Sequence, residues 1–147
     1  MKMFSVMAFA ATLTLASSAA ALAQDARTYD NGPVWNVSAI LTKPGHFDDY
    51  MKFVSTTWRA EQEALKAQGL VLDYKVLSVA DARENEPDLY LMVEYKNMAA
   101  FDTPLDQQDA LMKKLFGSLP AANKSGIDRE SIRTLKGDML TRELILK

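Results

Sequence analysis

The sequence predicts an α+β domain of the ferredoxin-like type, a βαββαβ sandwich in which an antiparallel four-stranded sheet carries helices on one face. Two observations lead there. From Val34 to Leu146 the apolar period switches between 2 and 3.6 in the order strand, helix, strand, strand, helices, strand. Each switch coincides with a turn or cap signal, at Lys43-Pro44-Gly45, Gly69, the polar stretch 80–87, Asn97 and Gly117. The chain has no cysteine, so its stability has to come from packing alone, and its length suffices for one such core.

Val34 to Thr42 is rich in β-branched and aromatic residues, with Trp35, Val37, Ala39 and Leu41 on one face, and reads as the first strand. Phe47, Tyr50, Met51, Val54, Trp58 and Leu65 recur at helical spacing through residues 46–68, and Gly69 follows as the C-terminal glycine. Leu70 to Val79 and Asp88 to Tyr95 alternate as two strands of a hairpin around Ala80 to Pro87. Met98 to Asp102 reads as a helical turn. Thr103-Pro104 then opens a helix carried by Leu105, Leu111, Met112, Leu115 and Phe116 and stopped by Gly117. Asp128 to Leu135 is expected as a short helix, and Met139 to Leu146 as the closing strand.

Ahead of this domain, Lys2, the apolar run Phe4 to Leu15 and the small-x-small pattern Ala21-Leu22-Ala23 read as an export signal over residues 1–23, with the mature chain starting at Gln24 in the periplasm or outside the cell. No membrane anchor is expected after cleavage. Gln24 to Pro33 is polar and turn-rich and is expected as a mobile leader, so the folded domain is 34–147. Removing residues 1–23 takes away Lys2 and no acid, leaving 16 basic residues against 19 acidic ones. That balance gives no nucleic-acid footprint.

A sheet covered on one side only is expected to be polar on the other, and this one is not. With Val37/Leu41, Leu72/Val76, Leu89/Leu91/Val93 and Leu140/Leu144/Leu146 under the helices, the outer face holds Val34, Ile40, Val71, Leu77, Val79, Tyr90, Met92, Met139 and Ile145. Such a patch calls for a partner, and two copies packed sheet to sheet form a barrel-like homodimer with an internal cleft.

The first strand running into KPGHFDDYMKF (Lys43 to Phe53), the joint VEYKNMAAFD (Val93 to Asp102) and the closing strand resemble the dimeric α/β-barrel superfamily, which includes antibiotic-biosynthesis-type monooxygenases and stress-responsive barrel proteins. The resemblance covers most of residues 34–147. More narrowly, GPVWNVSAILTKPGHFDDYMKF and the closing Arg142 to Lys147 look like a group of small exported bacterial proteins with no assigned function. It implies a dimer and a cleft for a small apolar or aromatic ligand, and it leaves activity open, because this superfold hosts oxygenases, peroxidase-like enzymes and plain binding proteins. Heme-degrading relatives carry a histidine on the second helix. None stands between Met98 and Leu119 here, so only Asn36 matches.

Alternation places Asn36 and Ser38, Asp73 and Lys75, Tyr90 and Glu94, and Thr141 and Glu143 on the cleft face, with Met92 among them. Asn36, Tyr90 and Glu94 are the candidate catalytic groups: an amide or phenol orients a substrate, and a carboxylate in a dry cleft acts as a base. Ser38, His46, Lys75, Met92 and Glu143 are candidate ligand contacts. The plainer reading makes Lys75 and Glu94 a cross-strand ion pair. His46, beside Asp48 and Asp49, opens the first helix, and adjacent residues of one turn do not converge on a metal. No metal or cofactor is expected, since GxGxxG, Walker, HExxH and thiol motifs are all lacking. Glu61 falls on the apolar stripe of the long helix, at its edge or buried against a partner such as Arg142. Arg129 and Arg133, one helical turn apart, read as surface residues able to bind an anionic group. Three functions therefore stand open: an exported ligand-binding or stress-associated module, a cofactor-independent monooxygenase-like or isomerase-like enzyme acting on an aromatic or quinone compound, and a purely structural dimer.

Overall fold

The computed structural model describes residues 27–147, so the export signal expected at 1–23 and the first part of the leader lie outside the described residues. The elements are β1 (Tyr29–Thr42), α1 (Phe47–Phe53), a π-helical turn (Val54–Trp58), α2 (Arg59–Ala67), β2 (Val71–Ser78), β3 (Leu89–Tyr95), a 3-10 turn (Met98–Asp102), α3 (Leu105–Phe116), α4 (Leu119–Arg129) and β4 (Arg133–Leu146). The strands lie in the order β2-β3-β1-β4 with every pairing antiparallel, which is the ferredoxin-like topology.

The long helix forms where its apolar spacing places it, from His46, whose carbonyl accepts the Tyr50 N–H at 3.0 Å. At its C-terminal end Gly69 takes φ +72°, a conformation that costs other residues a Cβ clash. Within it, the Ser55 and Thr56 hydroxyls both donate to the Lys52 carbonyl, at 3.1 and 2.7 Å. Such back-bonding competes with the regular ladder and accompanies the π-helical turn between α1 and α2. Further on, Asn97 caps the 3-10 turn by accepting from the Ala99 N–H at 3.0 Å. Ser118 caps α4 by accepting from the Ala121 N–H at 3.2 Å, with Pro120 in the first turn.

Two boundaries differ from the sequence expectation. Residues 29–33, expected within the leader, already belong to β1, and Tyr29, Asp30 and Asn31 pair with Leu146, Ile145 and Leu144. The helix expected at Asp128 to Leu135 lies earlier in the chain: α4 ends at Arg129, and Arg133 to Leu135 begin β4 opposite Thr42, Leu41 and Ile40. Cross-strand pairing of a sheet edge outweighs the marginal helical spacing of that segment.

Which face is buried follows from register. Ile40 lies opposite Leu89, Ser38 opposite Leu91, Asn36 opposite Val93 and Val34 opposite Tyr95. Directly opposed residues share a face. Ile40, Leu89 and Leu91 pack with Tyr50 of α1 and Val54, so this set lies under the helices. Val34, Ile40 and Val71, expected on the outer face, are thus core residues, each at most 2% exposed. Conversely Val37, opposite Met92, and Leu41, expected under the helices, face outward. The outer face is nonetheless apolar as expected, through Val37, Leu77, Tyr90, Met92 and Met139.

β1 and β4 are longer than their neighbours and continue past them as a two-stranded ribbon, bent by an irregularity between Asn31 and Val34. Gly32 lies in that bend, where a Cβ would come within 3.1 Å of the Glu143 backbone oxygen and Cβ. The strands approach too closely there for a side chain.

Candidate functional site

The fold divides the candidate residues between two faces. Tyr90, Met92, Glu94, Lys75 and Glu143 project from the open face. Asn36 and Ser38 project from the opposite one, which corrects the expectation that all of them share a cleft. The reason is parity: a residue opposite Val93 or Leu91 lies on the core side. The Ser38 hydroxyl donates to Asp138 at 2.7 Å.

On the open face, Lys75 lies opposite Met92 and extends over the Trp35 ring at 5.0 Å instead of pairing with Glu94. The Trp35 indole N–H points to the Glu143 carboxylate at 3.4 Å. His46 stands apart at the start of α1, its Nδ1 2.8 Å from the Asp49 carboxylate. Asp73, at the edge of the sheet, is drawn to Lys66 at 3.2 Å.

The concave chemistry lies on the helix side. Two cavities, of about 380 and about 950 Å3, adjoin between α2 and the α3–α4 pair, with Glu61 and Met112 lining both. The smaller is walled by Leu65, Leu70, Phe101 and Leu111, with Tyr95, Thr103, Gln107 and Gln108 adding polar groups. The larger opens between Met112, Phe116, Leu119 and Ile127, with Arg129 and Arg133 on its far side. These volumes are those of small-molecule sites, and apolar and polar residues share the lining of each cavity about equally. The cleft exists because α3 and α4 pack on each other and bury no residue of their own.

Glu61 sits at the junction. Burial pushes its carboxyl above the ordinary glutamate range, and Arg129 pulls it back in part. Arg142, considered as its partner, lies on β4 opposite Val34, and the cation that acts on Glu61 is Arg129. Across the smaller cavity, the Tyr95 phenol is raised by burial and then by Glu61 and Asp138. The Tyr50 phenol is raised by burial, with Arg133 and Arg129 opposing. Arg133 pairs with Glu130 at 3.2 Å and reaches the Tyr50 ring at 6.0 Å, and its Nε and Nη1 are buried without hydrogen-bond partners. Arg129 and Arg133 were legible in sequence as a basic pair, and Glu61 as a stripe carboxylate. What the sequence left open was that α4 and the turn after it bring the arginines to the side of the cleft facing Glu61.

The sign of the Glu61 effect is testable. A carboxyl whose folded-state pKa is raised binds its proton more tightly in the folded chain. Its contribution to stability is fully present below the unfolded-state pKa and is lost as pH rises through the folded-state pKa. Glu61→Gln, which keeps the shape of the neutral acid, is expected to match the parent in urea denaturation below about pH 4 and to exceed it at neutral pH. A variant weaker than the parent at neutral pH would show that attraction to Arg129 outweighs burial.

No family model and no curated protein matches the chain. Among solved structures, HapK from Hahella chejuensis is similar at a TM-score of 0.51 and 12% identity, over 75% of this chain and 91% of HapK. A Shewanella oneidensis protein aligns at 0.49 and 10% identity, over 80% of this chain and 96% of its own. A protein of an uncultured marine organism, described as a dimeric ferredoxin-like protein, aligns at 0.48 and 15% identity, over 80% and 98%. The likeness to HapK is one of fold alone.

Proposed function

We propose that this chain is an exported binding protein for a small, largely apolar molecule, acting as a homodimer paired through its open sheet face. The observation that carries the binding reading is the pair of adjoining cavities between α2 and the α3–α4 pair, where Leu65, Phe101, Leu111, Met112 and Phe116 give apolar surface beside Glu61, Tyr95 and Arg129. Export rests on residues 1–23. The homodimer rests on the outer face, where Leu77 and Met139 are about half exposed beside Val37, Tyr90 and Met92. Burying apolar surface stabilises association by about 25 cal/mol per Å2. Pairing there places Lys75, Tyr90, Met92, Glu94 and Glu143 at the seam between copies. A stress-associated role fits a ligand carrier of this kind.

One observation favours the enzymatic alternative. Glu61, a carboxyl raised above its ordinary range by burial in a cleft, is a candidate proton acceptor for cofactor-independent isomerase-like or monooxygenase-like chemistry on an aromatic or quinone compound. Native mass spectrometry of residues 24–147, purified from the producing cell under mild conditions, tests the main reading. A dimer that carries added small-molecule mass is expected. A monomer would overturn the homodimer, and a ligand-free dimer that takes up no apolar probe would overturn the binding function.

A further inference from the structure

Arg129 is held in a fixed pose at the end of α4. Its guanidinium lies 4.3 Å over the Phe53 ring, and Nη1 donates to the Ser125 hydroxyl at 2.9 Å. Stacking and that hydrogen bond set the plane of the fork and leave Nη2 free of both. Residue 126 beside Nη2 is glycine: a Cβ there would stand 3.9 Å from Nη2, in ordinary van der Waals contact, and meet nothing else, so only a longer side chain would fill the space before Nη2. Gly126 and Arg129 both line the larger cavity.

Among the described residues Arg129 has no carboxylate ion-pair partner, whereas Arg133 has Glu130 at 3.2 Å and Lys124 has Asp128 at 2.7 Å. Arg129 is also half-buried; burial and then the neighbouring Arg133 weigh against its charged form, while Tyr50, Glu61 and Glu130 favour it from beyond ion-pair distance. A partly desolvated cation beside a like charge, with its fork oriented and one end open to a cavity, is a receptor for an anion. The rest of the lining limits which anion. Glu61, Asp109 and Glu130 line it as well, so a second negative charge on the ligand meets repulsion, while Met112, Phe116, Leu119 and Ile127 favour an apolar body.

We propose that the cleft selects apolar monoanions, small hydrocarbon or aromatic acids with one carboxylate or sulfonate group, and that Arg129 pairs with that group beside Gly126. The proposal rests on the small-molecule-binding reading and names its ligand class.

The test uses residues 24–147 and the fluorescent probe N-phenyl-1-naphthylamine, which is neutral, displaced in turn by decanoate, decan-1-ol and the dianion decanedioate. In the parent protein decanoate is expected to displace the probe and decanedioate to do so far less well. Arg129→Gln is expected to weaken decanoate by about 10- to 100-fold, the range for a hydrogen-bonded charged group, and to leave decan-1-ol within about threefold. Gly126→Leu keeps the arginine but fills the space before Nη2, and it should produce the same selective loss. Since it replaces glycine within a helix, it should fold at least as well, and it decides the matter if Arg129→Gln unfolds through loss of its stacking on Phe53. Equal losses for decanoate and decan-1-ol in both variants, or none, would overturn the proposal while the binding function stood. A parent protein that bound neither the probe nor any competitor would overturn both.

Discussion

Ile40→Ala is expected to cost about 2–5 kcal/mol of folding stability, read from urea denaturation at neutral pH. The side chain is 2% exposed and packs with Tyr50, Val54, Leu89 and Leu91, so truncation leaves a cavity where strand and helix meet. Its backbone is committed too, because the Ile40 carbonyl accepts from the Asp88 N–H at 2.9 Å at the start of β3. Domains of this size are stable by only about 5–15 kcal/mol, so one such loss is a large fraction of the whole. Leu41→Ala, one residue on and facing outward, should cost the isolated protomer far less. Comparable losses at the two positions would mean that the buried face had been assigned wrongly.

Val37→Glu carries the second large effect. Val37 stands on the open face between Met92 of β3 and Met139 of β4, near the centre of the sheet. In a sheet-to-sheet pair each copy would bury an unpaired carboxylate against apolar neighbours, a penalty of several kcal/mol per charge. The expected result is a monomer at micromolar concentration in analytical ultracentrifugation, with unchanged far-ultraviolet circular dichroism, from a parent that sediments as a dimer. A variant that remained dimeric would move the interface to another surface.

How much of this was legible in the sequence depended on whether a signal was local. The long helix and the β2–β3 hairpin were, because Tyr50, Val54, Trp58 and Leu65 keep one helical face and residues 80–87 are all turn. The π-helical turn was not, since Val54 and Trp58 hold their apolar spacing through it. The buried face of the sheet was misread because β1 is apolar on both parities, with Val34 and Ile40 on one and Val37, Ala39 and Leu41 on the other. Period 2 separates the faces and does not say which is inside; only the pairing of Ile40 with Leu89 under Tyr50 decides it. Asn36 and Ser38 were carried with that error. The cleft lay further from view, because Glu61, Arg129 and Gly126 come together only through the packing of three helices. Glu61 was readable singly as an edge carboxylate and Arg129 as a surface cation, while Gly126 fell ahead of the helix expected at Asp128 to Leu135.

The β1–β4 ribbon brings the two ends of the described chain side by side. The Lys147 N–H donates to the Thr28 carbonyl at 2.9 Å, and its ammonium meets Asp30 at 3.0 Å. Topologically the domain is almost a ring, with its seam at the ribbon tip, where residues 28–31 and 144–147 line neither cavity. A linker of a few residues across that seam, with the backbone opened in the exposed turn at 80–87, would renumber the chain while keeping every strand pairing and the whole cleft intact. The order in which the strands are made is therefore separable from the sheet they form, and a permuted chain would show whether folding depends on making β1 first.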